Sequence, residues 1–223
     1  MGYQELVPEL VPFLSDSERN RSERYHFKKD QNRFIICRII LKHLLAEHIN
    51  EDITKIIIDI DSHKKPYLPL HPSVFFNISH TANYALIAIA NSAIGVDIEY
   101  INTDFNYPEI LSNIFSTNEM EGLNMRRNKH LTFYKFWTRK EAIVKAIGKG
   151  IDDHLKHIPV TDGVHTISSE LTDGFHKIKA LSFNLNNAYV GTLAFTKNLN
   201  DFDKIAFQTS PSVEELKKLF HKK

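Results

Sequence analysis

The sequence predicts a mixed α+β protein in which helices are followed by strands twice along one chain. Residues 15–49 have the apolar spacing of helices, and short runs of strand-forming residues follow between residues 53 and 100. After a polar stretch from Asn102 to Pro108 the order starts again, with helical patterns at 108–147 and strand patterns from 177 to 208. We therefore expect two halves, residues 1–104 and 105–223, although no internal repeat is visible.

The first half begins with helices. Ser15 or Ser17 is a suitable N-terminal cap, and apolar residues then recur at helical spacing up to Ile49. The run 53–60 is rich in isoleucine and predicts a strand. Residues 62–72 hold two histidines and three prolines and predict an ordered loop. Three further short apolar runs, at 73–79, 84–90 and 94–100, predict strands.

The second half repeats that order. A short helix is expected over 108–114. The spacing of Ser116 and Glu119 is that of a capping box that opens the next helix. A long helix is predicted over 129–147, followed by strands at 177–185 and 188–196 and a last candidate at 204–208. Residues 212–223 predict a short basic helix.

Composition favours a globular protein without a strong electrostatic field. The chain has 223 residues, 42% hydrophobic and 25% charged, with a net charge of +1, so nothing in its overall charge indicates nucleic acid or membrane as a partner. No apolar run is long enough for a bilayer, and the acidic N-terminus lacks the features of a signal peptide. The single cysteine, Cys37, is expected in the core. We expect a cytoplasmic protein.

Two segments concentrate chemically useful side chains. In the strand 94–100, Asp97 and Glu99 are two apart and point to one face, where a hard divalent cation would relieve their repulsion. In the segment Trp137–Gly150, Glu141 and Lys145 are four apart and share one helix face, and Gly148 and Gly150 are suited to ending that helix. Glu141 could add a third oxygen ligand, and Lys145 a positive charge for a phosphate.

Each of these patterns has a simpler interpretation. Asp97 and Glu99 could be two acids on an exposed strand face. Glu141 and Lys145 could be a solvated pair that stabilises a helix by a few tenths of a kcal/mol. Taken alone, each pattern leaves both interpretations open.

Four ordered motifs together resemble the 4′-phosphopantetheinyl transferases, in the longer, surfactin-synthetase-type branch. The motifs are Lys65-Pro66-Tyr67-Leu68, Phe76-Asn77-Ile78-Ser79-His80-Thr81, Gly95-Val96-Asp97-Ile98-Glu99 and the segment from Trp137 to Gly150. The resemblance implies two similar α/β lobes, a pseudo-dimer within one chain, with the active site between them. The N-terminal lobe would be the coenzyme A-binding side, and the C-terminal lobe would carry the Trp137–Gly150 helix.

The resemblance also implies the reaction and its residues. The family moves the 4′-phosphopantetheine arm of coenzyme A to a serine of an apo acyl or peptidyl carrier protein and releases adenosine 3′,5′-bisphosphate. Asp97, Glu99 and Glu141 match the Mg²⁺ ligands, and Glu141 and Lys145 the catalytic helix. Glu119 matches an acid that could take the serine proton, unless it only caps its helix.

Five basic residues match positions that bind coenzyme A: Lys28, Arg33, Lys42, Lys65 and His80. Two positions depart from the family pattern. Lys64 stands where a glycine is usual, which could alter the backbone of its loop, and Lys42 stands where arginine is frequent, which keeps the charge but loses the planar guanidinium.

Two other classes of function compete with a monomeric transferase. A non-catalytic protein could keep the fold and bind coenzyme A or a carrier protein, but it would not need three metal-binding acids. A different Mg²⁺-dependent enzyme of diphosphates, such as a nucleotide hydrolase, is disfavoured because the sequence lacks a Gly-rich phosphate loop.

Overall fold

A computed structural model of the chain describes residues 2–148, 150, 153–168, 171–172, 177–196 and 205–220. Its helices are α1 Val7–Leu10, α2 Asp16–Glu23, α3 Lys28–Ile49, α4 Leu111–Ile114, α5 Thr117–Asn124, α6 Lys129–Ile147 and α7 Val213–Phe220. Its strands are β1 Asp59–Ile60, β2 Pro66–Tyr67, β3 Phe75–Thr81, β4 Tyr84–Ala90, β5 Ile94–Tyr100, β6 Gly163–Thr166, β7 Lys177–Leu185 and β8 Tyr189–Phe195. The predicted α+β class is confirmed.

The chain divides into two compact units. The first contains residues 1–57 together with 203–223, and the second contains residues 58–202. All the described strands belong to the second unit. The predicted lobe boundary after residue 104 stays a prediction.

The first unit is built from α1, α2, α3 and α7. Of the two serines predicted as caps, Ser15 is the N-cap of α2, and together with Glu18 it forms a complete capping box. Helix α3 ends at Asn50, which adopts the left-handed conformation that asparagine tolerates. Cys37, expected in the core, is only half-buried. Helix α7, Val213–Phe220, confirms the predicted terminal helix, and residues 221–223 lie outside the described part.

The strand predicted over residues 53–60 is mostly wrong. Ile53–Lys55 form a 3₁₀ turn because the Asp52 carboxylate accepts hydrogen bonds from the backbone N–H and the hydroxyl of Thr54. Only Asp59–Ile60 are extended, and they pair with Pro66–Tyr67 inside the segment that predicted a loop. A local side-chain contact thus overrides the β propensity of the isoleucines.

The strands of the second unit form one hairpin, β3–β4, and one antiparallel sheet in the order β5-β8-β7-β6, in addition to the β1–β2 pair. The predictions at 73–79, 84–90, 94–100, 177–185 and 188–196 are confirmed within two residues at each end. Strand β6 was not predicted. The candidate at 204–208 is wrong over residues 205–208, which form no strand, and residue 204 lies outside the described part.

Helix α6 packs across β5 and β8 and has the predicted bounds. Asn128 caps its first turn by accepting a hydrogen bond from the Leu131 N–H, and Gly148 ends it with φ 90°. The apolar face of α6 and the sheet form one buried cluster: Ala142, Ile143, Val144, Ala146, Leu155, Ile158, Ile167, Ile178, Ala180 and Ala194. Because of this packing, α6 lies against the face of β5 that carries Asp97 and Glu99.

The free edge of β5 is closed by side chains of β3. Backbone N–H groups of Val96, Ile98 and Tyr100 donate in turn to the side chains of Asn77, Ser79 and Thr81, over 2.9, 3.4 and 3.4 Å. Both strands contribute every second residue, because that is the period of an extended chain. The polar residues of β3 therefore join two sheets that share no backbone ladder.

Among the residues that the structure describes, no helix combines the length and the apolar character that crossing a membrane requires.

Candidate active site

One open pocket of about 280 Å³ in the second unit collects the acids predicted from β5 and α6. It is lined by Ile78, Ser79, His80, Asp97, Glu99, Trp137, Glu141 and Lys145. Three of the predicted carboxylates, the predicted lysine and the predicted histidine thus meet in one place. The solvated-surface interpretation of both patterns is wrong, because Asp97 is 3% and Glu141 6% exposed.

Asp97 is held by two donors on the same oxygen. Its Oδ1 accepts hydrogen bonds from the Ser79 hydroxyl at 2.8 Å and from the Lys145 ammonium at 2.6 Å. Its other oxygen, Oδ2, is buried and has no hydrogen-bond partner. A buried carboxylate oxygen without a donor is costly, so Asp97 has an unfilled capacity for a positive ligand.

Glu99 has one donor for each of its oxygens. The Thr81 hydroxyl donates to Oε2 at 3.2 Å, and the Trp137 indole N–H donates to Oε1 at 3.3 Å. Burial raises the pKa of Glu99, and the neighbouring Asp97 raises it further. The two hydrogen bonds fix the orientation of this carboxylate, and they explain why a tryptophan opens the α6 motif.

Glu141 faces the same pocket from α6. Burial raises its pKa to about 7, and the charges of Asp97 and Glu99 act in the same direction, against a smaller lowering by Lys145. Its Oε1 is buried and has no hydrogen-bond partner. Burial therefore disfavours the charged form of Glu141, and its two acidic neighbours add to this effect.

These observations fit a divalent metal ion. In the part of the chain that the structure describes, no three His, Cys, Asp or Glu side chains are already arranged to hold a metal. Asp97 Oδ2 and Glu141 Oε1 are nevertheless buried oxygens without partners, and both belong to acids that line one pocket together with Glu99. Hard oxygen donors of this kind are the ligands that Mg²⁺ prefers.

Lys145 reaches across from α6 to β5. Its ammonium lies 2.6 Å from Asp97 Oδ1, 3.2 Å from the Ser79 hydroxyl and 3.4 Å from the Val96 carbonyl. Its hydrogen-bond partners therefore lie on β3 and β5. The ion pair of Lys145 is with a buried acid of the pocket.

Lys65 lies at the C-terminal end of α6. Its ammonium donates to the carbonyls of Lys145 and Ala146 over 2.7 and 3.0 Å, and burial lowers its pKa. These carbonyls belong to the last turn of α6, where backbone acceptors lack helical partners. Gly148 makes room for this contact, since a Cβ there would lie 3.0 Å from Lys65 Cδ.

A second pocket of about 500 Å³ lies beside Lys65. Apolar and aromatic residues line it, among them Tyr67, Leu68 and Phe76, together with Asp61 and His63. Lys64 lies in the tight turn that precedes Lys65, with φ 66°. The lysine that replaces the usual glycine has therefore kept the left-handed backbone that glycine would adopt most easily.

Glu119 is placed away from the acidic pocket. Its Oε2 accepts from the Ser116 N–H at 2.9 Å, which completes the predicted capping box, and lies 3.0 Å from the Lys140 ammonium. Lys140 is fully buried and also donates to the carbonyls of Leu155 and Ile158, each at 2.7 Å. Sequence reasoning missed Lys140, since a lysine on a helix is usually solvated.

The three basic residues of α3 are engaged within the first unit. Lys28 donates to Gln31, and Arg33 pairs with Asp30 over 2.7 Å. Lys42 is 4% exposed and donates to the Phe13 carbonyl at 3.0 Å, with Glu18 3.7 Å away. Their predicted contact with the nucleotide stays a prediction.

The fold and the site together define a class: an α+β protein with an acidic pocket suited to a divalent cation and a lysine beside it. Two family models match the chain consecutively, "4′-phosphopantetheinyl transferase, N-terminal" over residues 4–92 and "4′-phosphopantetheinyl transferase superfamily" over residues 93–196. The chain belongs to the 4′-phosphopantetheinyl transferase superfamily, in its surfactin-type branch.

Curated relatives agree with this placement. A 4′-phosphopantetheinyl transferase of Bacillus subtilis is 28% identical over 81% of both chains. The 4′-phosphopantetheinyl transferase Sfp of Bacillus subtilis strain 168 is 27% identical over 83% of this chain and 84% of its own. The 4′-phosphopantetheinyl transferase HetI of a Nostoc species is 32% identical over 65% of this chain, and the chain spans 64% of its length.

Proposed function

We propose that this protein transfers the 4′-phosphopantetheine arm of coenzyme A to a serine of an apo carrier protein and releases adenosine 3′,5′-bisphosphate. One observation carries the proposal: Asp97, Glu99 and Glu141 line a single pocket together with Lys145. A protein that only binds coenzyme A or a carrier would have no use for three clustered acids at that place, two of them with a buried oxygen that lacks a partner.

The chemistry asks for charge neutralisation and positioning. A serine hydroxyl attacks a phosphorus of the diphosphate, and negative charge moves onto the departing phosphate. When bound by Asp97, Glu99 and Glu141, Mg²⁺ would neutralise the diphosphate and orient its oxygens. Lys145, which lines the same pocket, would add a positive charge. A preorganised charge of this kind typically contributes about 10²-fold or more to a rate.

Two carboxylates are candidates for accepting the serine proton. Glu119 was expected from its position in the family motif, but both of its oxygens contact donors, Ser116 and Lys140. Glu141 has a buried oxygen without a partner, but it is also one of the three acids that would hold Mg²⁺, and the metal would lower its pKa from the metal-free value of about 7. Neither acid is therefore free to accept the proton without a change of contacts, and a substitution of Glu119 tests its part in the reaction.

The nucleotide end of coenzyme A requires basic side chains. His80 is exposed at the acidic pocket, and Lys65 lines the neighbouring pocket of about 500 Å³. We assign the 3′-phosphate to His80 and the nucleotide phosphates to Lys65. Lys28, Arg33 and Lys42 are further nucleotide contacts in this proposal. The protein would act as a cytoplasmic monomer on an acyl or peptidyl carrier protein.

Mass spectrometry of apo carrier proteins tests this function. After incubation with coenzyme A and Mg²⁺, the wild type should add one phosphopantetheine mass to a cognate carrier. Asp97→Asn removes the charge but keeps the size of a metal ligand, and it should abolish the mass gain while remaining folded. Binding of coenzyme A without any mass gain on acyl and peptidyl carriers would instead support the non-catalytic alternative.

A further inference from the structure

The position of Lys145 affects how the acidic pocket binds a metal ion. The Lys145 ammonium makes three polar contacts there, to Asp97, to the Ser79 hydroxyl and to the Val96 carbonyl. Its partner Asp97 lies in a cluster of three carboxylates. The ammonium therefore supplies positive charge beside Asp97, as a divalent cation would.

The two partners of this ion pair differ in their freedom to move. The Asp97 side chain is 4% exposed and is held independently by Ser79, whose hydroxyl also accepts the Ile98 N–H. The Lys145 side chain is 28% exposed and extends from α6 on a flexible four-carbon stem. Lys145 can therefore leave Asp97 without any change in β5, whereas Asp97 is fixed.

We infer that Lys145 is a displaceable counter-ion, an inference that rests on the proposed function. Its ammonium pairs with Asp97 in the free protein and moves to the diphosphate when metal and coenzyme A bind. While the ammonium stays paired with Asp97, much of its charge is compensated and it neutralises the diphosphate less. The same lysine then restrains metal binding in the absence of substrate and assists the reaction in its presence.

This arrangement makes the metal and the diphosphate cooperative. A diphosphate that attracts the Lys145 ammonium removes a positive charge from beside Asp97 and so favours a cation there, and by linkage a cation on Asp97 favours movement of the ammonium to the diphosphate. The free protein would hold a divalent cation weakly, because a cation at the open Asp97 Oδ2 would be repelled by the Lys145 ammonium, which lies 2.6 Å from Oδ1 of the same carboxylate. The pocket would therefore be fully assembled only around the substrate.

Titration of the protein with Mn²⁺ alone tests the inference without any catalysis. Electron paramagnetic resonance measures the free Mn²⁺ at each step of the titration. Lys145→Met keeps the length of the side chain and removes the charge. It should bind Mn²⁺ at least about tenfold more tightly than the wild type, because the competing cation is gone. Equal or weaker affinity in a folded Lys145→Met protein would overturn the inference.

Lys129→Met is the matched control. Lys129 is exposed at the start of the same helix, 16 residues and therefore about 24 Å from Lys145. Both variants lose one positive charge, but at that distance the Lys129 charge is screened. Its Mn²⁺ affinity should equal that of the wild type. A tenfold gain in both variants would mean that net charge, and not occupancy of Asp97, governs the affinity.

Amine labelling of the wild type provides a measurement that needs no variant. Acetic anhydride should modify Lys145 severalfold faster, relative to Lys129, when Mg²⁺ is added, because the metal releases the ammonium from Asp97. An unchanged ratio would count against displacement. The inference can fail alone: a protein that modifies carrier proteins but shows neither effect keeps the proposed function, whereas loss of transfer itself would reject the function.

Discussion

Gly95 of β5 lies directly against the backbone of Ala142 in α6. A Cβ at Gly95 would lie 2.0 Å from the Ala142 carbonyl oxygen and 2.4 Å from the Ala146 nitrogen. This contact brings the strand that carries Asp97 and Glu99 close to the helix that carries Glu141. The glycine of the strand motif is therefore part of the construction of the acidic pocket.

Substitution of Gly95 by alanine should separate β5 from α6. The clash is with backbone atoms, so one element has to move, and we expect a loss of about 3 kcal/mol or more in the free energy of unfolding. Gly122→Ala on α5 is the control, because a Cβ there meets nothing within 4 Å and alanine favours a helix. Chemical denaturation of both variants measures the difference, and a Gly95→Ala protein as stable as the wild type would contradict the close packing.

Glu141→Gln should stabilise the metal-free protein at pH 8. The pKa of Glu141 is about 7 in the fold against an ordinary 4.5, so the unfolded chain loses this proton first. The contribution of Glu141 to the stability of the wild type therefore falls as pH rises from about 4.5 to about 7. The variant lacks this loss and should gain about 1–3 kcal/mol at pH 8, and nothing near pH 4.

Denaturation in a chelating buffer at both pH values provides the measurement for Glu141→Gln. The same variant should lose transfer activity, because the amide is a poor metal ligand. A Glu141→Gln protein that is less stable than the wild type at pH 8 would show that its carboxylate is satisfied in the fold.

Glu119→Gln distinguishes a structural acid from a proton acceptor. Glutamine still caps α5 by accepting the Ser116 N–H, but it loses the charge that pairs with the buried Lys140. We expect a loss of stability of about 2 kcal/mol and a kcat within about threefold of the wild type. Glu121→Gln, at an exposed position of the same helix, is the control. A folded Glu119→Gln enzyme with kcat reduced about 10²-fold would identify Glu119 as the proton acceptor.

His80→Ala tests the assignment of the 3′-phosphate. Loss of a charge-assisted hydrogen bond should raise KM for coenzyme A about tenfold while leaving kcat nearly unchanged. 3′-Dephospho-coenzyme A lacks the group that His80 would bind, so its KM should hardly change. Steady-state kinetics with both substrates makes the comparison, and an equal rise in KM for both would exclude a contact with the 3′-phosphate.

Lys64→Gly restores the glycine that is usual in the family motif at the turn before Lys65. Lys64 has φ 66°, which costs a residue with a side chain about 1 kcal/mol, and glycine relieves that strain while adding freedom to the unfolded chain. The net gain in stability should be about 0.5 kcal/mol, with KM for coenzyme A unchanged because the backbone stays the same. Lys64→Ala keeps the Cβ and should show no gain. A large change in KM would instead give the Lys64 side chain a role in binding.

The local patterns of the sequence were sufficient to predict the elements that carry the site. The bounds of α6, the helix cap at Ser15, the capping box at Ser116 and the glycine that ends α6 depend on residues within a few positions of one another. The same short range explains the failure at 53–60, where one aspartate side chain outweighs a run of strand-forming residues. The four ordered motifs also determined the family.

The partners of the acids were decided only by the tertiary structure. Lys145 shares a helix face with Glu141, yet it pairs with Asp97, 48 residues away, because α6 lies against β5 at Gly95. Ser79 and Thr81 donate to Asp97 and Glu99 because side chains of β3 lie along the edge of β5, which is also a tertiary contact. Periodicity records which face of an element a residue occupies, but which faces meet depends on the packing of the whole chain.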